Sequence, residues 1–178
     1  MYSKTKKTAA VGMLCAFAYI ATAVGRVPVV LFLKYDPKDV IIVITGFLFG
    51  PTASFSAALI VSFAENGVLG LIMNVISSCS FACTAALIYK RRRGPLRAFA
   101  GLLCGWGLMV VAMMFWNYLV APIYMGYPRE AVVKLLLPAF LPFNLLKGGL
   151  NTAITMLIYR PVITALRRCH LIEADENL

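Results

Sequence analysis

Long apolar stretches of helical length dominate the chain, and short polar or proline-containing segments separate them. Runs of about 20 apolar residues fit an α-helix that crosses a bilayer, whereas membrane β-barrels show alternating segments of about ten residues. The pattern predicts an all-α integral membrane protein, with a single membrane domain over 1–178 and a bundle of six transmembrane helices. The expected helices cover 5–25, 37–49, 51–66, 68–90, 96–120 and 139–165.

The last apolar run carries polar side chains along one helical face. At about 100° per residue, Asn144, Lys147 and Asn151 lie within roughly 60° of one another. A charged side chain in hydrocarbon costs about 2.5 to 3.5 kcal/mol on insertion scales, so this stripe is expected to face a protein-lined cavity. Snorkelling to the outer surface is an alternative for Lys147 alone, and it leaves both asparagines unexplained. We interpret the stripe as one wall of a binding site.

Three more polar residues are candidates for the same site. Asn74 lies inside the fourth predicted helix, and Asn117 lies near the outer end of the fifth, among aromatic residues. Glu65 closes the third helix, which is short for a bilayer of about 30 Å and would leave room for a ligand. A solvated helix terminus is the alternative for Glu65.

The segment 26–39 is predicted to be an outer loop that gates the site. It contains two prolines and five charged residues, which disfavour a helix. We expect it to close over a bound ligand, with Tyr35 and Asp36 contributing to binding. Asp36 is also a candidate N-cap for the second helix, and capping or solvated charge is the alternative for Asp36 and Asp39.

Composition and charge placement exclude several classes of protein. The chain is 61% hydrophobic and only 13% charged, which is unlike a soluble domain. The net charge of +10 suggests a nucleic-acid partner, but most of the 17 basic residues flank helices that would end on one side of a membrane. By the positive-inside rule, both termini are then cytoplasmic, and no nucleic acid is expected. These flanking residues are Lys4, Lys6, Lys7, Lys90, Arg91, Arg92, Arg93, Arg97, Arg160, Arg167 and Arg168.

The chain lacks the motifs of catalysis, metal binding and nucleotide binding. Its five cysteines form no CxxC pair, and His170 lies in the polar tail, so no metal site is expected. The few carboxylates before the tail form no recognisable catalytic pair, which disfavours an enzyme. No phosphate-binding loop ending in Gly-Lys-Ser/Thr is present, so the energy for any transport must come from elsewhere.

The first helix carries a pattern of small residues, Ala9, Gly12 and Ala16. In membranes, small residues spaced by four allow close approach of another helix. We expect this face to bind a partner subunit, although packing within the chain explains the pattern equally well.

Three blocks of the sequence, 32–51, 117–127 and 142–151, resemble the S components of energy-coupling-factor (ECF) vitamin transporters, and most of all the riboflavin-binding members. S components are the substrate-binding membrane subunits, and the similarity covers nearly the whole chain. The resemblance implies six helices, with a ligand held near the outer face by the loop after helix 1 and by helices 4, 5 and 6. It implies that Asn117, Asn144 and Lys147 contact that ligand.

The resemblance also implies the partners. Riboflavin or a related flavin would be the transported ligand, with no cofactor. Helix 1 would bind a transmembrane coupling (T) subunit through Ala9, Gly12 and Ala16, and two ATP-binding cassette subunits would supply energy. The protein would then lie in the cell membrane of a prokaryote.

The segment 61–67 departs from the riboflavin-binding pattern, because it lacks a basic, amide-rich run. The ligand therefore stays open between a flavin and another vitamin or small aromatic metabolite. A self-sufficient secondary carrier is a further alternative, but no inverted repeat between the two halves supports it.

Overall fold

A computed structural model of the chain describes residues 4–25, 27–30, 33–63, 68–91, 94–126 and 128–168. Six helical rods, with one β-hairpin between the first two, make up this part of the chain, which confirms the predicted six-helix count. The rods are α1 (Lys4–Gly25), α2 (Lys38–Phe49), α3 (Pro51–Ser62), α4 (Val68–Ser78, Cys79–Cys83 and Thr84–Arg91), α5 (Pro95–Met125) and α6 (Arg129–Leu135, Leu136–Phe140 and Leu141–Arg168). The segments Cys79–Cys83 and Leu136–Phe140 are π-helical turns within otherwise α-helical rods.

Four of the rods contain segments that are long and apolar enough to cross a bilayer. These segments are Thr5–Gly25, Val68–Arg91, Pro95–Ile123 and Arg129–Val162. Helices α2 and α3 have 12 residues each. At 1.5 Å per residue they are about 18 Å long, which is shorter than the hydrocarbon core of about 30 Å.

Two predicted helix boundaries were wrong because they were placed at prolines. Helix α5 continues past 120 to Met125, with Pro122 inside its last turns and Gly126 ending it at a φ of 68°. The sixth rod begins at Arg129 rather than at 139, and Pro138 lies within the π-helical turn. Proline removes one helical N–H and crowds the preceding turn, and the wider π turn accommodates both effects.

The predicted third helix ended at 66, whereas α3 ends at Ser62. Residues 64–67, and Glu65 with them, lie outside the described residues.

The predicted outer loop contains a short antiparallel β-hairpin. Strand β1 (Val27–Val30) pairs with strand β2 (Leu33–Tyr35), and Val27 lies opposite Tyr35. Helix α2 starts directly after this hairpin with Pro37 in the N-cap position and no side-chain cap. The prediction that Asp36 caps α2 was therefore wrong, because the helix begins one residue too late for Asp36 to take that position.

Helix α2 is the central helix of the bundle. It packs against α1, α3, α4 and α6, while α5 packs against α4 and α6 on the far side. Apolar side chains from α2, α4 and α5 form the middle of the core, including Ile42, Phe47, Phe81, Leu102 and Met109. The polar first turn of α2 is therefore surrounded by other helices.

Close helix approach in the bundle depends on glycines. A Cβ at Gly105 of α5 would lie 2.3 Å from the Phe81 carbonyl oxygen of α4. A Cβ at Gly148 of α6 would lie 2.0 Å from Cδ1 of Trp106, so the indole ring packs directly on that glycine. These contacts hold α4, α5 and α6 at short range.

Helix α1 presents its small residues outward. Ala9, Gly12 and Ala16 are exposed, and nothing lies within 4 Å of the position that a Cβ would take at Gly12. Ala10 and Ala18, on the other face, are buried against the bundle. Packing of the Ala9–Gly12–Ala16 face against the described part of the chain is therefore excluded.

Candidate ligand-binding site

An ion pair is buried where α2, α4 and α6 meet. Asp39, in the first turn of α2, is 0% exposed, and Lys147, near the middle of α6, is 6% exposed. The Lys147 Nζ lies 3.0 Å from Asp39 Oδ2. Lys147 is thus paired inside the protein, and the snorkelling alternative is wrong.

Hydrogen bonds from α4 and α6 satisfy this pair. Ser78 of α4 donates to Asp39 Oδ1 over 2.5 Å, and Asn151 Nδ2 of α6 donates to Asp39 Oδ2 over 3.3 Å. Lys147 Nζ also donates to Ser77 Oγ over 3.2 Å. An ammonium group has three N–H donors. Among the described residues, Asp39 and Ser77 accept from two of these donors.

Tyr35 connects the β-hairpin to this network. Its hydroxyl donates to Asn151 Oδ1 over 2.8 Å. Burial and the negative charges of Asp39 and Asp36 raise the pKa of Tyr35 to about 12. The phenol therefore stays protonated at physiological pH and keeps its donor. A chain of hydrogen bonds runs from the hairpin through Asn151 to Asp39.

Asp36 and Lys38 flank the start of α2 and are also buried, at 5% and 0% exposure. Asp36 Oδ2 lies 3.9 Å from Lys38 Nζ. Together with Asp39 and Lys147, they place two acidic and two basic side chains in the interior of the bundle. The alternative of solvated charge for Asp36 and Asp39 is therefore wrong.

Three predicted site asparagines share one arrangement. Asn74, Asn117 and Asn144 each donate Nδ2 to the carbonyl oxygen four residues earlier in their own helix. Asn117 and Asn144 are buried, whereas Asn74 is half-buried. The Asn117 Oδ1 is buried and has no hydrogen-bond partner. Such an orphaned oxygen is costly unless another group donates to it.

The structure brings only some of the predicted residues into direct contact. Lys147, Asn151 and Tyr35 belong to one hydrogen-bonded network, and Asn144 lies one turn from Lys147 on the same helical face. Asp36 lies beside the network, while Asn117 and Asn74 make their hydrogen bonds within their own helices.

Sequence reasoning missed Asp39, Ser77 and Ser78 as site residues. A signal was available for Asp39, because a buried lysine needs a counter-ion and few carboxylates precede the polar tail. The two serines carry no comparable signal, because serine in a membrane helix often bonds only to its own backbone.

Other features of the described chain do not compete with this site. No group of His, Cys, Asp and Glu among the described residues would hold a metal ion. An apolar groove of about 290 Å³ lies between α5 and α6, beside Trp106 and Leu145, and its lining contains none of the predicted site residues.

Comparison with known proteins identifies the family. The model of the family described as "ECF transporter, substrate-specific component" matches residues 6–159. The chain belongs to this family. The resemblance found in the sequence is thereby confirmed, and as an ECF substrate-specific component the chain is a transport subunit rather than an enzyme.

Relatives and a solved structure support the family assignment over at least 92% of this chain. The riboflavin transporter RibU of Staphylococcus aureus (strain TCH60) is 26% identical, over 93% of this chain and 94% of its own length. The riboflavin transporter FmnP of Bacillus subtilis (strain 168) is 27% identical, over 94% of this chain and 99% of its own. A solved structure described as the S component of a bacterial ECF transporter superposes with a TM-score of 0.77 at 26% identity, covering 92% of this chain and 99% of that one.

Replacing Tyr35 by Phe tests the link between the hairpin and α6. The variant loses one buried hydrogen bond, so we expect a loss of about 1 kcal/mol of stability at neutral pH. The pKa of Tyr35 is raised in the folded state, so its stabilising effect is complete below pH 10 and declines as the pH rises towards 12. Thermal unfolding in detergent should show a wild-type advantage over Y35F that is constant to pH 10 and then shrinks. An advantage that persists unchanged at pH 12 would contradict the buried, protonated phenol.

Proposed function

We propose that this chain is the riboflavin-binding subunit of an ECF-type vitamin importer. The names of the RibU and FmnP relatives support a flavin, since each matches nearly the full length of this chain. The site supports the same ligand on independent chemical grounds.

The hydrogen-bonding groups of the site suit a neutral ring with both donor and acceptor groups on one edge. The remaining Lys147 N–H needs an acceptor, and the Asn117 oxygen needs a donor. The pyrimidine-like edge of an isoalloxazine offers carbonyl oxygens and an imide N–H, which meet both needs. The observation that carries the proposal is this buried ammonium, held in place by Asp39 and Ser77 with one donor to spare.

The β-hairpin acts as the gate of this site in our proposal. Tyr35 ties strand β2 to Asn151 of α6, and Asp36 follows it into the interior. The hairpin thus already reaches the polar network, so a small movement would open or close the site.

We propose that both termini face the cytoplasm and that the protein spans the cell membrane of a prokaryote. Exposed basic residues support this orientation: Lys6 and Lys7 start α1, Lys90 and Arg91 end α4, and Arg97 starts α5. In this proposal successive rods cross the membrane in alternate directions, which brings these ends to one side of the bundle. The positive-inside rule places that side in the cytoplasm.

Partner subunits supply energy in this proposal, namely a transmembrane coupling subunit and two ATP-binding cassette subunits. The exposed face formed by Ala9, Gly12 and Ala16 supports a helix-packing partner, because small residues let two membrane helices approach closely.

Replacing Lys147 by Met, or Asn144 by Ala, should weaken riboflavin binding by about tenfold or more. Each change leaves a ligand polar group without its partner, at a cost of about 1 to 3 kcal/mol, and 1.4 kcal/mol corresponds to tenfold. Isothermal titration calorimetry on the purified subunit in detergent measures the affinity.

Leu146→Met is the matched control, because Leu146 precedes Lys147 and points out of the bundle at 47% exposure. We expect it to bind like the wild type. Wild-type affinity in both K147M and N144A would show that the polar stripe is not the flavin site. A wild-type protein that does not bind riboflavin would rule out riboflavin as the ligand.

Replacing Gly12 by Leu should lower riboflavin uptake by cells while leaving the affinity of the isolated subunit unchanged. The larger side chain points away from the bundle and would block only a partner helix. Phe17→Leu, which alters an exposed residue of the same helix without adding bulk, should leave uptake intact. Equal uptake by G12L and the wild type would refute the assignment of this face to the coupling subunit.

A further inference from the structure

We infer that Asp39 is a positioning residue for the ligand-binding Lys147, acting through the ammonium group and not on the ligand itself. This inference rests on the proposed function, because it assigns a role within the same site. The resemblance to S components carried no such role for Asp39.

Donors from the protein itself already bind both carboxylate oxygens of Asp39. Its Oδ1 accepts from Ser78, and its Oδ2 accepts from both Lys147 and Asn151. The carboxylate is 0% exposed. It therefore has little capacity left for a ligand, and it forms a 3.0 Å ion pair with Lys147.

Asp39 fixes where the Lys147 ammonium can point. A lysine side chain has several rotatable bonds, and its charged head is mobile unless partners hold it. Asp39 from α2 and Ser77 from α4 hold the nitrogen from two different helices. The third N–H direction is then determined by geometry, which lowers the entropy lost when a ligand carbonyl binds to it.

The charge of Asp39 also sets which ligands the site accepts. Asp36, Lys38, Asp39 and Lys147 are the buried charged residues of the described chain, and their formal charges cancel. A ligand with a neutral ring edge keeps this balance, whereas an anionic edge would add an uncompensated buried charge. The Asp39–Lys147 pair therefore favours neutral ligands, whereas a lysine without a carboxylate partner would attract anions.

A double-mutant cycle on Asp39 and Lys147 tests the inference by riboflavin titration of the purified subunit at pH 7. We expect Asp39→Asn to weaken binding by about tenfold or more, because the Lys147 ammonium loses its ion pair with the carboxylate. Asp39→Glu keeps the charge and should recover part of the affinity. Glu130→Gln neutralises an exposed carboxylate in the first turn of α6, and this control variant should bind like the wild type.

The decisive comparison is between K147M and the double variant D39N/K147M. In K147M, Asp39 is left as a buried charge without its cation, and D39N removes that charge. We expect the double variant to fold at least as well as K147M and to bind riboflavin as tightly or more tightly.

A further loss of about tenfold in the double variant, relative to K147M, would overturn the inference, because Asp39 would then act independently of Lys147. Unchanged affinity in D39N would overturn it as well. Either result, with a wild type that binds riboflavin, leaves the proposed function intact. A wild type that does not bind riboflavin would instead reject the proposed function.

Discussion

The buried ion pair between Asp39 and Lys147 is the constraint on which the rest of the site depends. Each charge taken out of water costs several kcal/mol, and the attraction between them compensates only when the geometry is good and the remaining hydrogen bonds are made. Here donors from α4 and α6 satisfy both carboxylate oxygens, and Ser77 accepts from the ammonium. A sliding movement of α2 or α6 along its axis would separate the two charges, and a sliding movement of α4 would break the hydrogen bonds of Ser77 and Ser78. The pair therefore fixes the relative position of these three helices.

The short length of α2 makes this pair possible. Because α2 has only 12 residues, its first turn lies within the bundle, beside the middle of α6. The chain that leads into α2 must follow it inward, which explains why Tyr35, Asp36 and Lys38 are buried at the end of a segment rich in charge. Glycine contacts at Gly105 and Gly148 bring α4, α5 and α6 close enough to enclose the same region. The hairpin, Asn151 and the ion pair thus belong to one hydrogen-bonded polar network in an apolar bundle.

Patterns within one helix were predictable from the sequence, and contacts between distant helices were not. The stripe of Asn144, Lys147 and Asn151 follows from helical periodicity, and so does the small-residue face of α1. The partner of Lys147 lies in another helix, and nothing in the spacing around Asp39 shows that its helix starts inside the bundle. The start of α6 was misplaced for a local reason, since Pro138 normally marks a helix boundary and here lies in a π-helical turn. The buried role of Ser77 and Ser78 depends on the same tertiary contacts.

The site should adopt a specific geometry when a flavin is bound, and an experimental structure of the purified protein with riboflavin tests this most directly. The Lys147 Nζ should lie within hydrogen-bonding distance of a carbonyl oxygen on the pyrimidine-like edge of the ring, while its ion pair with Asp39 persists. The Asn117 Oδ1 should at the same time accept a hydrogen bond. A riboflavin bound away from Lys147, or a Lys147 that leaves Asp39 to bind the ligand, would contradict the claim that the buried pair forms the base of the site.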